Sequence, residues 1–140
     1  MQADDELLQA VEELEKRKQW EFWKNNPDAF INECLYIYPK DAALGKIKLK
    51  INKAQKLVVD EFIRQMEDKG YVRMIISKYR QAGFSTISSA LIFHRALFYT
   101  STRAVIISLD KPTTESIFSM SKTFFEDLPE EIKPELSASN

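Results

Sequence analysis

The hydrophobic positions of this chain fall into two kinds of spacing, and the boundary between them organises the molecule. Leu7, Leu8, Val11 and Leu14 recur at helical intervals, which predicts a helix over residues 4–25 with Trp20 and Trp23 on one face near its end. Glu12 and Lys16 stand at the spacing of a favourable ion pair on such a helix. The helix reads either as an amphipathic element that docks or as a charged arm that stands off the core and binds a partner. Asn25-Asn26-Pro27-Asp28 stops it and starts a second helix to about Tyr36, with Phe30, Ile31, Cys34 and Leu35 as its apolar positions. Pro39 and Gly45 bracket a loop. The strict alternation of Ile47-Lys48-Leu49-Lys50-Ile51 predicts a half-buried strand. Asn52 is the expected cap of a helix over Lys53–Lys69, whose inner face carries Leu57, Val58, Phe62, Ile63 and Met66 and which Gly70 ends.

From residue 71 the pattern changes to short continuous apolar runs. Tyr71 to Ser77 and Ala104 to Leu109 read as strands buried on both faces. Between them lie a loop, Lys78 to Phe84, and a helix over Ser85 to about Leu97. A last helix, about Thr113 to Asp127, precedes Leu128-Pro129 and an end without periodicity. Strand, loop, helix, strand, helix is the order of a parallel-sheet unit, so the expected class is α/β.

Composition narrows the function classes. A formal charge of −1 gives no global basic field of the kind that marks nucleic-acid binders. Lys46, Lys48, Lys50 and Lys53 make a local basic stretch, equally explained as a solvated face. One cysteine, Cys34, forbids an internal disulfide, and one histidine, His94, leaves little for a zinc site. No apolar run approaches the ~20 residues of a membrane span, and no signal-peptide pattern is present.

The chemistry concentrates in Ser77-Lys78-Tyr79-Arg80-Gln81-Ala82-Gly83-Phe84-Ser85-Thr86. A loop that feeds a helix start is a natural phosphate site, because the first-turn amides and the positive end of the helix dipole point at it. The ordinary P-loop pattern, G-x-x-x-x-G-K-[ST], is met at Gly83 and Ser85. It is broken at Lys78, in the first glycine's place, and at Phe84, in the lysine's place.

The pattern K-x-R-Q-x-G-x-S-T after an apolar run resembles the modified Walker A loop of phage terminase large subunits, the motors that package viral DNA. The resemblance covers roughly residues 20–136. It implies a P-loop NTPase-type parallel sheet with flanking helices, incomplete here, over residues 46–136, after a helical lead-in (1–45) and before a short tail (137–140). It implies ATP and Mg²⁺ as cofactors. Lys78 would take the Walker lysine's role, with Arg80 and Gln81 beside the phosphates. Gly83 would allow close backbone approach, Ser85 would ligate Mg²⁺, and Thr86 would support that ligand. Asn52-Lys53-Ala54-Gln55 is similar to the family's adenine-reading segment, with Gln55 as the reader. Implied partners are double-stranded DNA, a portal protein and a small terminase subunit, with assembly of the complete motor as a homo-oligomer. The implied location is the host cytoplasm and, transiently, the procapsid.

The family's acidic strand end, where an aspartate holds Mg²⁺ and a glutamate activates water, has no counterpart after residue 86. Glu126-Asp127 and Glu130-Glu131 read as solvated surface. The chain is therefore expected to be a fragment that binds ATP and does not turn it over alone. One side of Tyr71–Ser77 is then expected to be an open apolar edge. Two alternatives remain at this stage: a piece of another P-loop motor such as a helicase, or a non-catalytic interaction module.

Overall fold

The computed structural model describes residues 1–77 and 83–134. Among these described residues five α-helices carry the structure: α1 (Gln2–Asn25), α2 (Pro27–Cys34), α3 (Lys53–Lys69), α4 (Phe84–Phe98) and α5 (Lys111–Glu126). Their ends follow from local chemistry. Asp4 and Asp5 sit in the first turn of α1, where acids oppose the helix dipole. Pro27 opens α2, where its missing N–H costs nothing. Asn52 and Gln55 cap each other reciprocally at the start of α3, and Gly70, at φ 74°, closes it in the left-handed conformation that glycine adopts without strain. Asp110 caps α5, accepting from the Thr113 amide at 2.8 Å. That contact holds its carboxyl below the usual range.

The expected parallel sheet is not what these residues form. Among the described residues the only paired strands are β1 (Tyr36–Ile37) and β2 (Ile47–Lys48), and they run antiparallel, Tyr36 opposite Lys48 and Ile37 opposite Ile47. The chain is thus a small helical protein with one short hairpin, not an α/β doubly layered domain. Tyr36, expected to end a helix, instead begins β1, and the alternating segment at 47–51 pairs over only its first two residues. Beyond them Leu49 donates to the Leu35 carbonyl at 2.9 Å and Ile51 to the Asn32 side chain at 2.9 Å, so α2 takes over as its partner.

Residues 72–77 and 102–108 are neither helix nor strand, and neither segment belongs to a ladder. The physical reason is visible in their burial. Val72, Met74 and Ile76 alternate as the half-buried positions of the first segment, and Ile106 and Ser108 do so in the second. Ile75, Val105, Ile107 and Leu109 face solvent, Ile75 and Leu109 completely. A strand buried on both faces needs a layer on each side. Here α4 and α5 supply one side, where Ile76, Ile106, Ile92 and Ile117 line one cavity, and no described element supplies the other.

The core lies where α2, α3, α4 and α5 meet. Phe30, Ile31, Leu35, Val59, Ile87, Ala90 and Phe124 are fully or almost fully enclosed. At the C-terminal end of α4 an aromatic cluster joins α1 and α2 to it. Phe98 meets Phe30 edge-on at 5.1 Å and Trp20 at 5.5 Å, and Trp23 meets Phe30 at 6.5 Å. Cys34 is buried at the end of α2, and burial pushes its thiol up to about 12. Among the described residues no helix is long and apolar enough to cross a membrane.

Candidate functional site at the start of α4

The seven residues of the sequence-derived site are divided by the limits of the structure. Lys78, Arg80 and Gln81 lie outside the described residues. Gly83, Ser85 and Thr86 are described, as is Gln55 on α3, and the fold brings Gly83 and Gln55 into direct contact.

Gly83 is the cap of α4 and adopts φ 76°, ψ 18°, the left-handed region that favours glycine. Its carbonyl opens the helix by accepting from the Ile87 amide at 3.1 Å, and it also accepts from Nε2 of Gln55 at 2.9 Å. A Cβ placed on Gly83 would lie 2.5 Å from that same Nε2. Glycine is therefore required twice, by conformation and by approach. Gln55 is 4% exposed, and its two polar atoms face two helix starts. Its Oε1 accepts from the Asn52 amide at 3.0 Å, and its amide N–H bonds the Gly83 carbonyl. One N–H and one lone pair of the side chain remain for any further contact. Gln55 thus braces the beginning of α3 against the beginning of α4, a contact across 28 positions that no local spacing announces.

Ser85 and Thr86 stand in the first turn of α4, and successive helical positions send them to different sides. Ser85 lines a cavity of about 260 Å³ with Phe84 and with Ile76 and Ile106 of the two unpaired segments. Thr86 lines one of about 270 Å³ with Tyr38, Ser116, Ser119 and Thr123. The hydroxyl row of α5 in this second cavity was legible as one helical face, yet sequence reasoning passed over it.

The donor set suits a phosphate and its cation. An α-helix leaves its first-turn amides without intrahelical carbonyls, and those of α4 sit behind a glycine whose bare Cα lets a ligand come close. Mg²⁺ keeps several waters and binds through one or two protein groups plus phosphate oxygens, which a first-turn hydroxyl such as Ser85 satisfies. Among the described residues no cluster of three histidine, cysteine or acidic side chains could hold a metal ion by itself.

The other candidate groups are placed elsewhere. His94 lies nine residues beyond Ser85 on α4, roughly 13 Å along the axis, so it forms no catalytic pair with that serine. It is buried between the rings of Phe30 and Phe98 and its Nε2 lies 2.8 Å from the Trp23 carbonyl, which fixes Nε2 as the donor. Its Nδ1 is buried without a partner, and desolvation lowers its pKa. Lys46 of the basic stretch is committed to an ion pair with Asp127, while Lys48, Lys50 and Lys53 are exposed. Glu126 and Asp127 end α5, and Glu130 and Glu131 follow in a turn, so neither acidic pair lies at a strand end.

No protein-family model matches the chain, and neither a curated protein nor a solved structure matches it.

Proposed function

We propose that this chain binds Mg·ATP through residues 78–86, at the start of α4, and that it is the N-terminal part of the ATP-binding region of a viral DNA-packaging motor. The reading is supported most directly by Gly83. A left-handed glycine capping a helix, with Ser85 and Thr86 in the first turn, is what a phosphate-cradling loop requires of its exit. In the sequence Lys78 and Arg80 precede it within a few residues, and these cations would hold the outer phosphates. The order of the residues in this loop resembles that of terminase large subunits. The reading rests on the loop and the helix alone, since the sheet expected around them is not formed by the described residues.

In this reading Gln55 acts first as the strut that sets Gly83, and its remaining N–H and lone pair are what it offers to an adenine edge. Bound Mg·ATP supplies the phosphoryl group for transfer to water. The residues of this chain bind and orient it, while the groups that activate water and complete the cation site lie elsewhere in the complete motor. There the cycle would move double-stranded DNA, with a portal protein and a small terminase subunit as partners, at the procapsid in the host cytoplasm.

The test is titration of the folded chain with a fluorescent ATP analogue and Mg²⁺. Saturable binding, weakened about tenfold or more by Lys78→Ala or Arg80→Ala, is the expected result, since charge-assisted phosphate contacts contribute roughly 1.5–3 kcal/mol. Absence of binding by a chain that circular dichroism shows to be folded contradicts the proposal. Steady ATP turnover abolished by Lys78→Ala would contradict the division of labour between binding here and hydrolysis elsewhere.

A further inference from the structure

The first part of α1 is independent of the nucleotide reading and carries its own signal. From Met1 to Gln19 every residue is exposed, and α1 buries none of its side chains. Only its last turns dock, through Trp20 and Trp23. The free part is nonetheless amphipathic. Leu7, Val11 and Leu14 follow one another at intervals of four and three, the seam spacing of a two-helix coil, and Leu8 flanks them; Leu7 is 64% exposed and Leu8 61%. A solvated stripe of this kind marks an interaction surface.

The charges on the arm say what covers it. Residues 4–15 contain only acidic charges, and Lys16-Arg17-Lys18 follow at once. Among the described residues no ion pair lies within α1, so these charges are unused in the single chain. We propose that the occupant is a second copy of α1, antiparallel to the first, related by a two-fold axis at Val11. That register sets Asp4 against Lys18, Asp5 against Arg17, Glu6 against Lys16 and Leu8 against Leu14, with Val11 against itself. The remaining acids, Glu12, Glu13 and Glu15, fall opposite uncharged positions. A parallel pair would instead set Asp4 on Asp4 and Lys18 on Lys18, so the charge pattern selects the antiparallel one. The interface is isologous, as a two-fold requires. It is short, so the dimer is concentration-dependent and weakens with salt.

Sedimentation equilibrium of the full chain at low ionic strength tests this. The expected result is a reversible monomer–dimer equilibrium. Leu14→Glu abolishes it, Lys18→Glu weakens it by about tenfold, since two exposed pairs turn repulsive, and Asp4→Lys combined with Lys18→Asp restores it. All these positions are exposed, so the variants keep the fold. Oxidation supplies the direction: Val11→Cys links into a dimer and Asp4→Cys does not, the buried Cys34 staying silent. A chain that is monomeric at every concentration, a dimer indifferent to Leu14→Glu, or a ready Asp4→Cys self-link would each overturn the proposal.

Discussion

The two ends of α4 are built to opposite standards. Its C-terminal end is enclosed by the rings of Trp20, Trp23 and Phe30 and by His94 and Phe98 of its own, which stack around one another at 4.9–6.5 Å. Its N-terminal end shares a cavity with two segments without helix or strand, whose Ile75, Ile107 and Leu109 are exposed. The same helix is therefore a structural pillar at one end and an open, hydroxyl-bearing terminus at the other. The difference teaches where stability is decided and where a ligand has room. Aromatic packing fixes the first end, and the second is held by Ile87 in the core and by the bond between Gly83 and Gln55.

The largest way to break this contrast is Phe30→Ala. It removes the ring at the centre of the aromatic cluster and should cost about 3–5 kcal/mol in urea denaturation. Gly83→Ala acts at the other end. Its strained φ and its clash with Gln55 should cost about 1–3 kcal/mol, and nucleotide affinity should fall with it. Gln55→Ala added to Gly83→Ala should relieve the clash, so a double-mutant cycle between the two should show coupling, whereas strict additivity would mean that the strut is unimportant.

Acid sharpens the contrast from the closed side. Burial holds the pKa of His94 below the ordinary value of 6.5, so the unfolded chain takes up a proton that the folded one refuses. Stability is therefore complete above pH 6.5 and should decline as pH falls below it, toward the lower folded pKa. The His94→Gln variant should flatten that decline. Glu61, held at about 2 by Arg64 and Gln65, adds its own loss of stability only further down, as pH falls from 4.5 toward about 2. The smallest effect is expected on the open side: Ile107→Ser should change stability by no more than about 0.5 kcal/mol, because this side chain is 90% exposed. A cost of several times that would mean that the outer face of the unpaired segments is covered in solution.

The helices were legible because capping and periodicity are local. Pro27, Asn52, Gly70 and Asp110 each announce a terminus, and all five helices lie within a few residues of their expected places. The parallel sheet was misread because a short apolar run, such as Met74-Ile75-Ile76 or Val105-Ile106-Ile107, has no periodicity to say whether one face is covered or two. The strands expected there are not formed, since pairing depends on elements far away in the chain. The hairpin of Tyr36–Ile37 with Ile47–Lys48 was half legible for the same reason. At the candidate site Gly83 was singled out for close approach of a phosphate; what the structure shows of it is a left-handed φ and a close approach to Gln55. The Gln55–Gly83 bond was hidden, because Gln55 reads equally well as a surface helix residue. Arm and docking element were posed as alternatives for α1, and it divides between them, with Trp20 and Trp23 docked and the stretch before them free.

The most direct test of the account is amide hydrogen exchange on the folded chain with and without Mg·ATP. The account predicts slowed exchange in residues 78–86 and the first turn of α4, with the aromatic end of the same helix unchanged, and no such effect in Lys78→Ala. Saturating Mg·ATP that leaves the start of α4 untouched would contradict it.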